Sequence, residues 1–321
     1  MAGIDLNSIL TLSLIAAALR MATPIIFATM GGIFSSHAGI FNVGLEGLML
    51  IGTFFAVVGS VQTGSAYGGM LYAVVACLIA SLVFAFLHLE LKANAVIVGL
   101  ALNIVAIGMT NYLLTALLGV YGVYKTDLIV GFQVVEIPVI HNIPILGELI
   151  SGHFPLVYLS FVSVFIVYLV LYKTPFGYRL RAVGENIDAA ESIGVNTKRM
   201  KYYGLLLSGL FCAFGGTFMS LSYLTLFSEN MTAGRGWLAL AAINFGSMKP
   251  VPSMIACLIF GLADAFGIRL QQFGLPSQVV LMLPYLMTII VLFISAVIAD
   301  RRKKANLKKD SDPEVVEGIS A

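Results

Sequence analysis

Glu46 lies in FNVGLEGLMLIG, a carboxylate set among glycines and aliphatic residues. Arg20 and Asp264 are the other two ionisable groups that fall inside long apolar runs. A charge at the centre of a bilayer costs about 2.5–3.5 kcal/mol on insertion scales, so each of the three needs a partner or a purpose. For Glu46 the candidate roles are a group on a solute path, a coupling carboxylate, or a structural partner for Arg20 on the preceding run. Pairing is favoured, because buried charges persist where they are matched. Asp264, in GLADAFG, is read as a structural hydrogen-bonding group between helices. Asn42, Asn103, Asn111 and Asn244 add neutral amides that could bond sugar hydroxyls or base edges without a charge penalty. With Glu46 they form the candidate lining of a translocation path. The competing role for each asparagine is a hydrogen bond between helices.

Nothing in the sequence assembles a catalytic centre. His37 and His88 sit at the ends of apolar runs and His141 and His153 between them, without metal-ligand spacing. Cys77, Cys212 and Cys257 each lie inside an apolar run, with no CxxC pair, and read as small core residues. No GxxxxGK[ST] loop is present, so any energy source must come from another subunit or an ion gradient. The sequence offers no catalytic residue, no metal-ligand set and no cofactor. A membrane-embedded enzyme would need such a cluster near one face, and is the least supported class.

A different polar cluster fills residues 173–202, between two apolar runs. Six of the eighteen Lys and Arg residues are here: Lys173, Arg179, Arg181, Lys198, Arg199 and Lys201. Between the basic flanks, in VGENIDAAESIGV, Glu185 and Asp188 come early, where acidic groups suit a helix N-terminus. Ala189 and Ala190 favour helix at little bulk, and Gly194 suits the stop. The pattern predicts a helix of about two turns over 184–194, lying along one membrane face. Its apolar residues, Ile187, Ala190 and Ile193, are too few for strong insertion into lipid. Docking on another protein is therefore favoured over an ordinary surface loop.

The scaffold that must hold these groups is set by composition. Hydrophobic residues make up 59% of the 321 and charged residues 11%, against about 25% charged in soluble domains. The chain is predicted to be an all-α polytopic membrane protein in contact with the lipid bilayer. A spanning helix needs about 20 apolar residues. Candidate runs are 9–33, 39–59, 69–89, 95–118, 155–172, 203–226, 234–246, 253–268 and 278–298. That makes nine transmembrane segments, with eight to ten as the range. Run 234–246, thirteen residues long, reaches only about 20 Å as a helix and reads as short or re-entrant. The second run begins irregularly, with glycines at 39, 44, 47 and 52. In run 203–226, Gly209 and Ala213, and Ser208, Cys212 and Gly216, offer small faces for close helix approach.

Lys and Arg are retained on the cytoplasmic side. The 173–202 island and the tail basic residues from Arg301 to Lys309 are expected inside, and 119–154, whose only basic residue is Lys125, outside. Alternation puts fourteen basic residues inside, and Lys125, Arg235 and Arg269 outside. Residues 1–299 then form one transmembrane domain, and 300–321 a disordered cytoplasmic tail. The N-terminus, with Asp5 and no basic n-region, reads as a retained first span. Loop 119–154, with Pro138 and Pro144, is expected to form a compact outer cap. No basic patch calls for a nucleic-acid polymer.

GIFNVGLEGLMLIG (39–52), FGYRLRAVGENIDAAESIGVNTKRMKYYGLLLSGLFCAFGG (176–216) and GRGWLALAAINFGSMKPVPSMIACLIFG (234–261) together cover most of the chain's distinctive wording. On these blocks it resembles the permease subunits of ABC importers in the branched-chain amino acid, ribose and nucleoside group. FNVGLEG stands closer to the nucleoside branch than to the sugar branch, which usually has GIDLSVG at this place. The resemblance implies a bacterial plasma-membrane permease that imports nucleosides or related small solutes, without enzymatic activity of its own. It implies a separate ABC ATPase subunit, a second homologous permease in a heterodimer, and an extracellular substrate-binding lipoprotein. It also implies that GENxxAAxxxG is the coupling helix that docks on the ATPase, through Gly184, Glu185, Asn186, Ala189, Ala190 and Gly194. The alternative is an ion-coupled secondary transporter of a small polar solute, which would show paired midplane charges and internal repeats.

Overall fold

The computed structural model describes residues 12–135 and 151–271, with isolated helical positions at 282, 286, 287 and 289. Run 278–298, the 300–321 tail, and Pro138 and Pro144 of the expected cap fall outside the described residues, apart from those four positions. In chain order the helices are α1 (Leu12–His37), α2 (Leu45–Thr63), α3 (Ala66–Leu89), α4 (Ala95–Leu118), α5 (Pro155–Lys173), α6 (Pro175–Glu185), α7 (Ile187–Ser192), α8 (Thr197–Phe218), α9 (Arg235–Phe245) and α10 (Pro250–Gln271). One π-helical turn, Met219–Tyr223, prolongs α8. Two short strands, β1 (Val123–Tyr124) and β2 (Phe227–Ser228), pair antiparallel, with Tyr124 opposite Phe227.

Among the described residues seven helices are long and apolar enough to cross a membrane: α1 to α5, α8 with its π turn, and α10. Run 234–246 is helical but only eleven residues long, as α9. The second helix starts at Leu45 rather than Gly39, because residues 38–44 form a hydrogen-bonded turn through the glycine-rich stretch. The helix of run 203–226, α8, starts earlier than its apolar run, at Thr197. The Asn196 side chain accepts from Arg199 N at 2.9 Å and caps it, so the basic first turn is helical too. α4 has the bounds read from the sequence. Asn94 caps its start, and Gly119 ends it in the left-handed conformation.

The bundle has a buried centre and a periphery. α1, α2 and α8 are 78%, 83% and 78% buried over their apolar stretches, against 28% for α3 and α4. α8 packs on α1, α2 and α3, and α1 also lies along α10. Small residues permit this closeness. Gly209 abuts Ser81 and Cys77 of α3, Gly216 abuts the Met49 carbonyl of α2, and Gly52 of α2 faces Ala213. These are the small faces seen in the sequence; dispersion and interhelical hydrogen bonds stabilise such contacts. The three cysteines are buried and free, and Cys77 Sγ lies 3.1 Å from the Leu48 carbonyl.

Residues 173–202 mark one end of the bundle, the island end. At the opposite end, loop 119–135 folds back onto α8. Phe132 N donates to the Leu221 carbonyl at 2.8 Å, an oxygen within the π turn. Ser60 Oγ bonds both the N–H and the carbonyl of Val130.

Candidate functional site

The short helix α9 explains the deep carboxylate. Residues 229–234 lead into it through left-handed positions at Asn230, Ala233 and Gly234. The N-terminus has no side-chain cap of its own, and its free amides need acceptors. Glu46, in the first turn of α2, supplies them. Its Oε1 accepts from Gly234 N at 2.8 Å and its Oε2 from Gly236 N at 2.6 Å. A carboxylate at a helix N-terminus also meets the positive end of the helix dipole. Among the described residues the partner of Glu46 is thus the α9 backbone and not Arg20. At Gly236 a Cβ would collide with the Glu46 backbone. Gly236→Ala is therefore expected to cost roughly 1–3 kcal/mol, read as a lowered melting temperature of the purified protein.

α9 is only about 16 Å long. Its far end is fixed to the island end, where His37 Nε2 lies 3.1 Å from the Met248 carbonyl just beyond it. Its N-terminus therefore sits about half-way along the spanning helices. Arg235 is there too, 3.6 Å from Asp264, about four turns into α10. Alternation of charges counted Arg235 as outside; the half-length of α9 places it at the depth of the bundle, matched by Asp264.

The five candidate path residues do not converge. Asn42 donates to Ser208 Oγ of α8 at 2.9 Å and accepts from Gly44 N at 3.0 Å. Asn103 of α4 accepts from Gly47 N at 2.8 Å and donates to the Val43 carbonyl at 3.1 Å. Together with Glu46 they fix the turn into α2 against α4, α8 and α9, and their polar atoms are committed to the chain itself. Asn111 is higher on α4, and its Oδ1 is buried without a hydrogen-bond partner. Asn244 is exposed on α9, donating to the Leu240 carbonyl of its own helix at 3.0 Å.

The expected two-turn helix of 184–194 is divided. α6 continues through Gly184 to Glu185. Asn186 breaks the helix and caps α7, its Oδ1 accepting from Ala189 N at 3.0 Å. Gly194 ends the unit with φ of 79°, a conformation that favours glycine. Ala190 is buried against its own chain. Gly184 backs directly onto the His37 carbonyl and Gly39 at the end of α1. Glu185, Asn186, Ile187, Asp188, Ala189, Glu191 and Ile193 face outward, Ile193 with 75% of its surface exposed. Beside them Glu90, just past α3, takes 2.6 Å and 3.0 Å hydrogen bonds from Lys198 and Tyr202 of α8. Those hydrogen bonds, Lys198's first, hold the Glu90 carboxyl below its ordinary range.

Sequence reasoning missed three partners: the α9 amides, the His37–Met248 contact, and Arg181. The Arg181 guanidinium lies over the rings of Tyr172 and Tyr178, at 4.7 Å and 5.1 Å from their centroids. A usable signal existed for the first: GRGW opens a helix with no Ser, Thr, Asp or Asn at its start.

The family described as "Branched-chain amino acid transport system / permease component" matches residues 14–292. The guanosine ABC transporter permease protein NupQ of Bacillus subtilis is 35% identical over 300 residues, covering 90% of this chain and 93% of that protein. The nucleoside ABC transporter permease protein NupC of Lactococcus lactis is 35% identical over 319 residues, covering 95% of this chain and 99% of that protein. Among solved structures, a metal-chelate type ABC transporter in an inward-facing conformation superimposes with a TM-score of 0.50 at 14% identity. That match covers 87% of this chain and 84% of the other, and is a likeness of fold alone.

Proposed function

We infer that this chain, which belongs to the branched-chain amino acid transport system permease family, is the multi-pass membrane permease subunit of an ATP-driven importer of nucleosides. The observation that carries the solute is the 35% identity, over nearly the whole length, to permeases named for guanosine and for nucleosides. ATP hydrolysis belongs to a separate ABC ATPase. A second permease completes the translocation unit as a heterodimer, and an extracellular lipoprotein delivers the solute. Residues 1–299 are the transmembrane domain, with nine spans when run 278–298 is added and α9 is counted as the short one. The island end and the C-terminus face the cytoplasm, as the basic residues favour.

Coupling runs through α6 and α7. The outward face around Ile187 and Ile193 docks on the ATPase, while Gly184 presses on the end of α1 and transmits its movement. The His37–Met248 contact carries that movement on to α9. Gly184→Ala, whose Cβ would push against His37, is expected to raise the ATP hydrolysed per solute imported several-fold while the complex still assembles. Simultaneous measurement of uptake and phosphate release in proteoliposomes checks this. In the path itself, Asn111 and Asn244 touch solute, and Asn42, Glu46 and Asn103 hold the wall behind them.

The solute is tested with the purified complex and its lipoprotein charged with guanosine, uridine, ribose or a branched-chain amino acid. Nucleosides are expected to stimulate ATP turnover. Stimulation by ribose or the amino acid, with none by nucleosides, would refute the solute assignment.

A further inference from the structure

Between α5 and the start of α10 the surface carries a groove with two unlike ends. Its island end encloses about 290 Å³ beside Tyr168, Tyr172, Lys249 and Pro250. The deeper end encloses about 420 Å³ and is walled by Phe161, Val164, Phe165 and Met254. Tyr168 and Val251 line both, so the two adjoin along one surface. From Phe161 to Tyr172 the α5 backbone rises about 16 Å, roughly half of a 30 Å hydrocarbon core and so the depth of one leaflet.

The island end is cationic. Lys249 is exposed, and the Arg181 guanidinium stands behind Tyr172 with its Nε buried and without a hydrogen-bond partner. The Tyr168 and Tyr172 rings lie 5.3 Å apart, tilted against each other, as amphipathic rings do at headgroup level. No carboxylate lines either end among the described residues; Glu185 acts on His37 from the same end of the bundle but is outside the groove. A cation and two tyrosines at the membrane surface, adjoining an apolar trough one leaflet deep, match the layout of a phospholipid with a negative headgroup.

We propose that this groove binds an anionic phospholipid of the leaflet at the island end. Lys249 takes the phosphate, Tyr168 and Tyr172 flank the glycerol backbone, and one acyl chain lies along Phe165 and Val251. Because α5 passes through Thr174 directly into α6, the lipid braces the base of the coupling unit. This inference rests on the chain being a membrane protein, and its test reads lipid rather than transport.

The test is native mass spectrometry of the intact transporter complex, with phosphatidylglycerol and phosphatidylcholine supplied in equal amounts and soluble glycerol phosphate as a competitor. Phosphatidylglycerol is expected to be retained preferentially. Lys249→Gln should cut that retention about fivefold, the weight of one surface cation. Val251→Trp should abolish it by filling the trough with the charge intact, and the spectrum itself reports whether the complex has assembled. Equal retention of the two lipids, unchanged retention in both variants, or a groove empty because the second permease covers it would each overturn the proposal. Full displacement by glycerol phosphate would also overturn it, showing a free-anion site instead of a lipid site.

Discussion

Glu46→Leu is expected to destabilise the protein by roughly 3 kcal/mol or more, and to abolish uptake with it. Two amides, those of Gly234 and Gly236, lose the carboxylate acceptors that Glu46 gives them at mid-bundle depth. Hydrogen bonds to a charged group contribute about 1.5–3 kcal/mol each, and leaving buried donors unmade costs about 1–3 kcal/mol apiece. Gly236 is buried, so water cannot readily replace the carboxylate there. Glu46→Gln keeps one accepting oxygen and should fall between the two. Thermal unfolding of the detergent-solubilised protein reads the series. A leucine variant that melts with the wild type would mean that α9 does not depend on Glu46 for its position.

Ile193→Glu is the second large effect, and it falls on function with the fold intact. Ile193 is the most exposed large apolar residue of the α6–α7 unit, so a carboxylate there meets water in the isolated chain. Against the ATPase it would be buried unpaired. A central interface residue of this kind is worth about 2 kcal/mol or more. Co-purification of the ATPase should weaken about thirtyfold, with membrane insertion and melting temperature unchanged. Ala190→Trp is a poorer test, because Ala190 is buried against its own chain and the larger side chain would displace α7 directly. Retained ATPase binding in Ile193→Glu would remove this face from the contact.

What could be read in advance followed from local physics. Run 95–118 gave α4 to the residue because its limits are an asparagine cap and a left-handed glycine, both local signals. The thirteen residues of 234–246 announced a helix too short to span, and the structure gives one of eleven. Its depth was not legible. The acceptor that holds it is nearly two hundred positions away, and it bonds backbone amides that carry no side-chain signature. For the same reason Arg20 was the natural partner to assign to Glu46: side-chain charges can be matched by eye, and helix ends cannot.

The 184–194 segment shows the same division. Gly194 as the stop was visible, but the break at Asn186 was not taken, although asparagine is among the strongest caps. A single helix over 184–194 would have turned both alanines toward a partner. With the break, α7 turns Ala190 inward and leaves Ala189 outside. Asn42 and Asn103 illustrate a further limit: an intramembrane amide looks alike whether it faces a solute or a neighbouring helix, and only the packed bundle distinguishes them.

The most direct measurement is import into proteoliposomes holding this permease, its second permease and the ATPase, with nucleoside-charged lipoprotein on the lipoprotein-docking side and ATP on the other. Labelled nucleoside should accumulate against its gradient only while ATP is hydrolysed, and should be indifferent to dissipation of the proton gradient. Accumulation that persists without ATP and collapses with the proton gradient would contradict the account and make the chain an ion-coupled carrier.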